Sequence, residues 1–374
     1  QVYNLYKTEI NTTTLGSQSV DELNLRFNSI FQDGPISFNP LTKMLYLTRT
    51  NNKLRKIKNI PLAIFQIPLD KFGKELPKLL ELNFDDHSSI HPTISPDGKV
   101  LYFSSDRPGG YGGMDLYYVN LENDKIAGEI TNMGPDINTE KDEVFPFIFS
   151  DKYLFYSSNK TSNQKFNIYL ATNKIYNRWE NNILSKPFNS EYDDTSFSID
   201  IKTKTGFISS NRKGGKGDDD VYAFKFMPKI EGEEDSYNFF GTDTLVVGSN
   251  SVLNNDLEKM KKNDPLTQLI PLKIKVVSNV TNGKLNLNPN GTFWYKPNSD
   301  EFKKDSFSYR IISDFGNSDK IKVALENKNF QELLKFENLL KPIYFDFDSF
   351  ELKEKFIPKL DSIAEILNNN PNLK

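Results

Sequence analysis

The hydrophobic pattern of the first 228 residues is a repeat of short alternating segments that end in Ser or Thr. Alternation of apolar and polar positions predicts half-buried β-strands. Equivalent Ser or Thr residues fall at positions 48, 104, 157 and 209, which gives spacings of 56, 53 and 52 residues; the segments are 45–48, 101–105, 154–158 and 206–210. A period near 50 with about four short strands is typical of a β-propeller blade.

Two further strand candidates flank each segment and complete the repeated unit. The preceding candidates lie at 35–38, 92–95, 146–149 and 196–199, and the following ones at 62–67, 115–119, 167–170 and 220–224. Polar linkers carry a fourth, weaker strand. We therefore predict four blades in residues 1–228, of which the first departs most, with basic residues at 51–59. Residues 3–10 have the pattern of an outer strand of a preceding blade, so either blades precede this one or the first segment closes the ring differently.

Glycine-rich turns connect the second and third strands of two blades, at residues 107–113 and 211–217. Glycine permits the tight backbone of a hairpin, whereas a phosphate loop requires Gly-Lys-Ser/Thr and a following helix. We expect Asp115 and Asp220 to accept hydrogen bonds from N–H groups of these turns. The two loops are also the predicted contact face for a partner, through Arg107, Tyr111, Arg212, Lys213 and Lys216.

A second group of closely spaced strand candidates follows the acidic linker at 231–235. They lie at 243–247, 272–277, 284–287, 292–295, 306–311 and 320–325. Six or seven strands in about 95 residues predict a β-sandwich, which we place at residues 232–328. Trp294 and Tyr295 are expected as core and rim residues, in that order, of one of its strands.

The C-terminal segment, residues 336–374, combines one strand pattern with one amphipathic helix. Residues 342–348 alternate as a strand. Apolar residues then recur three or four positions apart, as on one face of a helix, at positions 352, 356, 360, 363 and 367. Residues 368–371 end that helix. A strand followed by a helix requires a partner strand, so we expect residues beyond Lys374 to complete the domain.

Composition excludes several classes of function. The formal net charge of −3 argues against a nucleic-acid-binding protein, and no apolar run approaches the roughly 18 residues of a transmembrane helix. The chain has no cysteine and two histidines, so thiolate chemistry is excluded and general-base or metal chemistry has few candidates. We predict no enzyme activity, no catalytic residue, no cofactor and no metal site. His91 is expected to pack or cap a turn, since its counterparts are Gly34 and Phe145.

Several long stretches resemble known families of bacterial envelope proteins. Residues 91–119, 133–146 and 205–224 resemble the TolB-like propeller repeats of OmpA-family proteins, and residues 343–349 and 363–371 resemble the start of an OmpA-like peptidoglycan-binding domain. The predicted fold is therefore mainly β: a β-propeller with four recognisable blades plus a partial one, an Ig-like β-sandwich, and the first strand and helix of an α/β OmpA-like domain.

The middle segment is similar to the cadherin-like, immunoglobulin-fold repeats of bacterial surface proteins, on residues 251–256, 282–285, 288–297 and 305–309. In that family an Asp-rich stretch often binds calcium. Residues 257–263 carry basic residues in its place, which leaves too few oxygen ligands for calcium. Residues 243–245 match a three-residue O-glycosylation pattern of some gliding bacteria, and this marks Thr244 as a candidate O-glycosylation site.

The order of the modules resembles PorE-like proteins of the type IX secretion and gliding machinery, with a cadherin-like module where those proteins have a different middle domain. The resemblance implies a non-enzymatic periplasmic scaffold, associated with the outer membrane. Its expected partners are an outer-membrane β-barrel protein of the PorP/SprF type and peptidoglycan. Two alternatives stay open: a propeller that binds a small molecule or glycan in its central channel, and a propeller-associated hydrolase.

Overall fold

A computed structural model of the chain divides into two compact units, residues 1–226 and 227–374. The structure describes residues 5–11, 14–22, 28, 32–51, 60–83, 86–161, 163–174, 178–249, 251–328 and 354–369. Nearly all of the regular structure in these ranges is β-strand, as the alternating pattern predicts. The basic segment at 52–59 lies outside the described residues.

The first unit contains four consecutive antiparallel sheets, which we call blades 1 to 4. Blade 1 consists of β3 to β6, at Asp33–Asn39, Met44–Thr50, Leu62–Pro68 and Lys78–Leu79. Blade 2 consists of β7 to β11, at Ser89–Ile94, Val100–Ser105, Asp115–Glu122, Lys125–Ile126 and Thr131–Asn132. Blade 3 consists of β12 to β15, at Glu143–Ser150, Tyr153–Ser158, Asn167–Asn173 and Trp179–Ile183. Blade 4 consists of β16 to β18, at Asp194–Asp200, Thr205–Ser210 and Asp220–Lys225.

The four blades pack side by side with their first strands adjacent. Strand β3 contacts β7, β7 contacts β12, and β12 contacts β16. Apolar side chains fill the space between successive blades: Tyr46 and Phe103 belong to the buried cluster of blades 1 and 2, and Leu116 and Tyr156 to that of blades 2 and 3. Small sheets stacked in this way form a β-propeller, which confirms the fold predicted for this part of the chain.

Every first strand contains a β-bulge near its start. The bulged residue has a φ of 55° at His91, 51° at Phe145 and 53° at Ser196, and blade 1 has Gly34 there, with a φ of 105°. Glycine adopts this conformation without the steric cost that other residues bear. The His91 and Phe145 rings stack with their centroids 3.7 Å apart, so the expectation that His91 packs is confirmed.

A separate two-stranded hairpin precedes blade 1. Strands β1 and β2, at Tyr6–Ile10 and Ser17–Glu22, pair antiparallel. The strand predicted at residues 3–10 is therefore present from Tyr6 onward. Among the described residues, β1 pairs with β2 alone.

The second unit contains a sandwich of two sheets. One sheet has the order β19-β26-β24-β21, with β25 at the end of β24; the strands are Asp235–Phe239, Ile321–Asn327, Lys304–Ser313, Lys273–Ser278 and Gly316–Asn317. The other has the order β20-β23-β22, at Leu245–Val247, Phe293–Pro297 and Gly283–Leu287. Tyr295 is fully buried and Trp294 is 38% exposed. This is the reverse of the expected order, because the alternation of β23 turns Phe293 and Tyr295 toward the core and Trp294 toward the surface.

The sequence pattern did not predict two elements of the sandwich. Strand β19 pairs parallel with β26 at the other end of the module. Helix α1, at Asn254–Asn263, includes the basic residues at 259, 261 and 262, and it buries Asp256 and Met260. One buried apolar side chain in ten residues is too weak a periodicity to predict a helix.

The C-terminal helix is described by itself. A 3-10 turn at Glu354–Phe356 leads into helix α2, at Ile357–Asn369, with Pro358 in the first turn, where its missing N–H has no helical partner to lose. This confirms the predicted helix, whereas the strand predicted at 342–348 lies outside the described residues. Within the described parts of the chain, no helix has the length and apolar character needed to cross a membrane.

Candidate interaction surface

Aspartate side chains hold the glycine-rich turns of blades 2 and 4. In blade 2, Asp115 accepts hydrogen bonds from the N–H groups of Tyr111 and Gly112, at 2.6 and 3.2 Å. A Cβ atom at Gly110 would overlap the Asp115 carboxylate, so this close approach requires glycine. Asp220 makes the same kind of contact with the second turn. The expected structural role of both aspartates is confirmed.

The guanidinium group of Arg107 lies against its own blade. Its Nε donates to Ser105 Oγ at 3.1 Å and its Nη2 donates to Ser89 Oγ at 3.2 Å. The guanidinium carbon lies 5.1 Å from the ring centroid of Phe103 and 4.9 Å from that of Tyr117, within the range of a cation–π contact. Burial lowers the pKa of Arg107. The side chain therefore joins the first, second and third strands of blade 2.

Arg212 takes the equivalent place in blade 4. Its Nη2 lies 2.5 Å from the fully buried carboxylate of Asp194, and its guanidinium carbon lies 5.1 Å from the ring centroid of Tyr222. Lys160 occupies this place in blade 3, with its Nζ 4.2 Å from the centroid of Tyr169. A cation over a third-strand tyrosine is thus a repeated structural contact of three blades.

The remaining predicted contact residues lie at the surface. Tyr111 is 52% exposed, and Lys213 and Lys216 are exposed as well. They lie on the turns of blades 2 and 4, so the structure assigns them to two separate blades of the first unit. Thr244 is exposed immediately before β20 of the sandwich. A partner contact at these residues, and modification of Thr244, stay predictions.

Two open cavities lie in the first unit. The larger, of about 630 Å³, lies between the strand-connecting turns of blades 1 and 2, with Asp124 in its wall. The Asp124 carboxylate accepts hydrogen bonds from Tyr46 at 2.7 Å and Thr42 at 2.9 Å, so it joins these two blades. The smaller cavity, of about 330 Å³, lies beside Arg212 and Lys213 in blade 4.

An asparagine side chain joins each of the first three blades to the segment that leads into the next one. Its Oδ1 accepts a hydrogen bond from a third-strand N–H, and its Nδ2 donates to the C=O of the same residue. The pairs, at distances of 2.7–3.0 Å, are Asn83 with Ile64, Asn138 with Leu116, and Asn189 with Ile168. We call this pair of hydrogen bonds the asparagine contact.

The N-terminal hairpin carries the same contact. Asn28 Oδ1 accepts from the N–H of Leu5 at 2.6 Å, and Asn28 Nδ2 donates to its C=O at 3.0 Å. Leu5 directly precedes β1, so β1 and β2 correspond to the third and fourth strands of a blade. This supports the interpretation of residues 3–10 as an outer strand of a preceding blade.

Blade 4 departs from this pattern at its third strand. Among the described residues, β18 pairs with β17 alone, and no asparagine contact forms on it. Val221 opposes Ser209 as Leu116 opposes Ser104. The Leu116 side chain is fully buried, whereas Val221 is 71% exposed. Blade 4 therefore presents the edge and face that the other blades have covered.

Sequence reasoning missed the asparagine contact, although the chain contains a signal for it. Each contact asparagine stands five or six residues before the buried polar residue that begins the next first strand; the pairs are Asn28 with Asp33, Asn83 with Ser89, Asn138 with Glu143, and Asn189 with Asp194. Asparagine is common in loops, so the signal emerges only after the blades are aligned by their strands.

The sandwich contains a pair of carboxyl groups, fully buried Asp256 and half-buried Asp235, that the sequence pattern did not reveal. The Tyr309 hydroxyl lies 2.7 Å from Asp256 Oδ2 and 3.2 Å from Asp235 Oδ2. Burial and repulsion from Asp256 raise the pKa of Asp235 to about 7, and burial also raises the pKa of Asp256. In the part of the chain that the structure describes, no group of three or more acidic, histidine or cysteine side chains is placed to hold a metal ion.

Comparison with known proteins gives one family match and several similar solved structures. Residues 230–326 match the family of bacterial Ig domains. Solved structures similar to the chain include TolB from Acinetobacter baumannii (13% identity, 85% of this chain and 65% of that chain, TM-score 0.38). Another is an endo-arabinase from Bacteroides thetaiotaomicron (13% identity, 61% of this chain and 95% of that chain, TM-score 0.40). A puromycin hydrolase is also similar (15% identity, 55% of this chain and 32% of that chain, TM-score 0.34). No curated protein matches the sequence.

These observations define the class of the protein by its fold. The described structure is mainly β and consists of a β-propeller followed by an Ig-like sandwich, in agreement with the fold predicted from the sequence. The helix α2 is a separate element after the sandwich. The PorE-like resemblance concerns the function of the protein and stays a prediction. The OmpA-like resemblance concerns residues 343–349 and 363–371 and also stays a prediction.

Proposed function

We propose that this protein is a non-enzymatic scaffold of the bacterial envelope, located in the periplasm and associated with the outer membrane. In this role it tethers an outer-membrane β-barrel protein of the PorP/SprF type, in a secretion or gliding-adhesin complex, to peptidoglycan. The β-barrel contact is assigned to the propeller, and the peptidoglycan contact to the OmpA-like domain that residues 336–374 begin.

The observation that carries the proposal is the open third strand of blade 4. Val221 is 71% exposed, and the exposed lysines Lys213 and Lys216 lie on the turn that leads into its strand. An apolar edge beside basic loops suits a protein partner, because protein interfaces combine an apolar centre with a polar rim. The side chains of Arg107 and Arg212, two of the predicted partner-contact residues, are held within their blades.

The test is affinity purification of the full-length protein from detergent-solubilised envelopes. We expect a β-barrel protein and peptidoglycan fragments to be recovered together. Digestion of the peptidoglycan before solubilisation should remove the fragments and leave the barrel bound, because the two contacts lie on different modules. Recovery of a soluble substrate alone, without barrel or peptidoglycan, would contradict the proposal.

A further inference from the structure

Among the residues that the structure describes, the third strand of blade 4 has backbone groups without partners at the position where the other blades make the asparagine contact. The Ser or Thr residues at 48, 104, 157 and 209 oppose Ile64, Leu116, Ile168 and Val221 in the strand registers. In the first three of these pairs the N–H and C=O of the third-strand residue point away from the second strand, toward the asparagine. The shared register gives the N–H and C=O of Val221 the same outward direction.

The third-strand side chain at this position also differs between blade 4 and the other blades. Leu116 and Ile168 are fully buried, and Leu116 packs with Ile137 of the segment that leads into blade 3 and with Ile148 of the first strand of blade 3. Val221 is 71% exposed, and its N–H and C=O form no hydrogen bond among the described residues. An exposed strand edge with free backbone groups is a template for a further segment.

The repeat itself specifies what such a segment must contain. At the three covered junctions an asparagine supplies one acceptor and one donor to a single residue, and a new strand begins five or six residues later with a buried polar side chain. That strand then covers the apolar third-strand side chain. The asparagines that make these contacts, such as Asn138 and Asn189, are already bonded within their own chain. In a second copy of this chain these asparagines are therefore not available to bind Val221 unless that copy rearranges.

We propose that the Val221 edge of blade 4 binds an asparagine-containing segment of a partner polypeptide, in which the asparagine precedes a β-strand by about five residues. The asparagine amide bonds to the N–H and C=O of Val221, and the strand covers the Val221 side chain. This inference rests on the proposed function as a scaffold and gives the chemistry of its partner contact.

The test uses a labelled peptide with the sequence of residues 184–199, which contains Asn189 and the start of β16. Its binding to the full chain is measured by fluorescence anisotropy. We expect saturable binding that weakens about tenfold when the peptide carries Asn189→Leu, because a buried backbone pair then lacks its partner. Comparison of the unchanged peptide with the Asn189→Leu peptide tests the proposal without any change to the protein.

Two protein variants locate the binding site. Val221→Pro removes the outward N–H and leaves the hydrogen bonds to β17 in place, so binding should weaken about tenfold. Val221→Thr keeps the N–H and the branched shape and should bind as the unchanged protein does. Absence of saturable binding, equal binding of the two peptides, or equal binding by the proline and threonine variants would each overturn the proposal.

The outcomes separate this inference from the proposed function. If the envelope purification recovers a barrel but the peptide does not bind, the scaffold role stands and the Val221 edge is not its contact. If the peptide binds in the manner described but no barrel is recovered, the edge inference stands and the tether is wrong.

Discussion

Blades 2 and 4 share most of their internal contacts, but different segments of the chain follow them. Both have a glycine-rich turn held by an aspartate, Asp115 or Asp220, and both place an arginine over a third-strand tyrosine. In blade 2 the chain then supplies β10, β11 and Asn138, whereas after blade 4 it continues into the sandwich. Contacts within a blade are thus encoded inside the repeat, and the cover of a blade is encoded in the segment after it.

The largest expected difference between the two blades comes from their arginines. Arg212→Met leaves the buried Asp194 carboxylate without a cation, which should reduce the free energy of unfolding of the propeller by about 3–5 kcal/mol. Arg107→Met removes a cation that faces Ser89, a hydroxyl, and should cost about 1–2 kcal/mol. Equal losses would contradict this account of the two sites.

Urea unfolding can report on each module separately, because the chain has two tryptophans. Trp179 lies in β15 of blade 3 and Trp294 in β23 of the sandwich. A Trp294→Phe background leaves fluorescence from the propeller, and a Trp179→Phe background leaves fluorescence from the sandwich. In the second background neither arginine variant should change the transition.

The equivalent apolar residues of the third strands form the next matched pair. Leu116→Ala removes a fully buried side chain and should destabilise the propeller by about 2–5 kcal/mol. Val221→Ala changes an exposed side chain and should stay within about 0.5 kcal/mol. Trp179 fluorescence during urea unfolding measures both. A large effect of Val221→Ala would mean that this face is covered in the isolated protein.

Removal of an asparagine contact should make a covered blade resemble blade 4. Asn138→Ala leaves the N–H and C=O of Leu116 without this partner, at a cost of about 1–3 kcal/mol. Limited proteolysis should then cut the segment around 127–138 faster than in the unchanged protein. The Asn211→Ala variant removes asparagine hydrogen bonds to Asp193 at the start of blade 4 and provides a control that leaves the contacts of residues 127–138 in place. An unchanged cleavage rate for Asn138→Ala would contradict the role of the contact.

The smallest expected effect concerns Asp235, a half-buried carboxyl group that lies near a second carboxyl group, Asp256. The folded sandwich raises the pKa of Asp235 to about 7, so the folded state binds its proton more tightly than the unfolded state does. The contribution of protonated Asp235 to the free energy of unfolding is fully present at low pH and decreases as pH rises toward 7. Between pH 6 and pH 7 the loss is about 1 kcal/mol.

The Trp294 signal in the Trp179→Phe background measures this pH dependence. Asp235→Asn should flatten it, because the amide does not titrate. The groups that share the site are Asp256, Glu233, Lys259 and Tyr309, of which Asp256 titrates in the same direction. A sandwich whose stability rises between pH 6 and pH 7 would contradict the assignment.

Local patterns in the sequence were sufficient to predict the blades and the sandwich strands. Alternation identifies β18 and β23 because a strand exposes successive side chains to opposite faces. The aspartate of a glycine turn is also predictable, since Asp115 bonds to groups three and four residues away. The hydrogen bonds of Arg107 within its blade were not predictable from local pattern, because its partners include Ser89, a residue 18 positions earlier.

By itself, then, the sequence determined the repeat, the order of the modules and the turns that close each hairpin. These depend on the preferences of neighbouring residues and on a period that is visible in the chain. The tertiary structure decided which polar groups are satisfied: Asn138 reaches Leu116 across 22 residues, and Tyr309 meets Asp256 across 53. Such contacts require the blades and sheets to be packed first, and for this reason the uncovered edge at Val221 could be identified only in the folded protein.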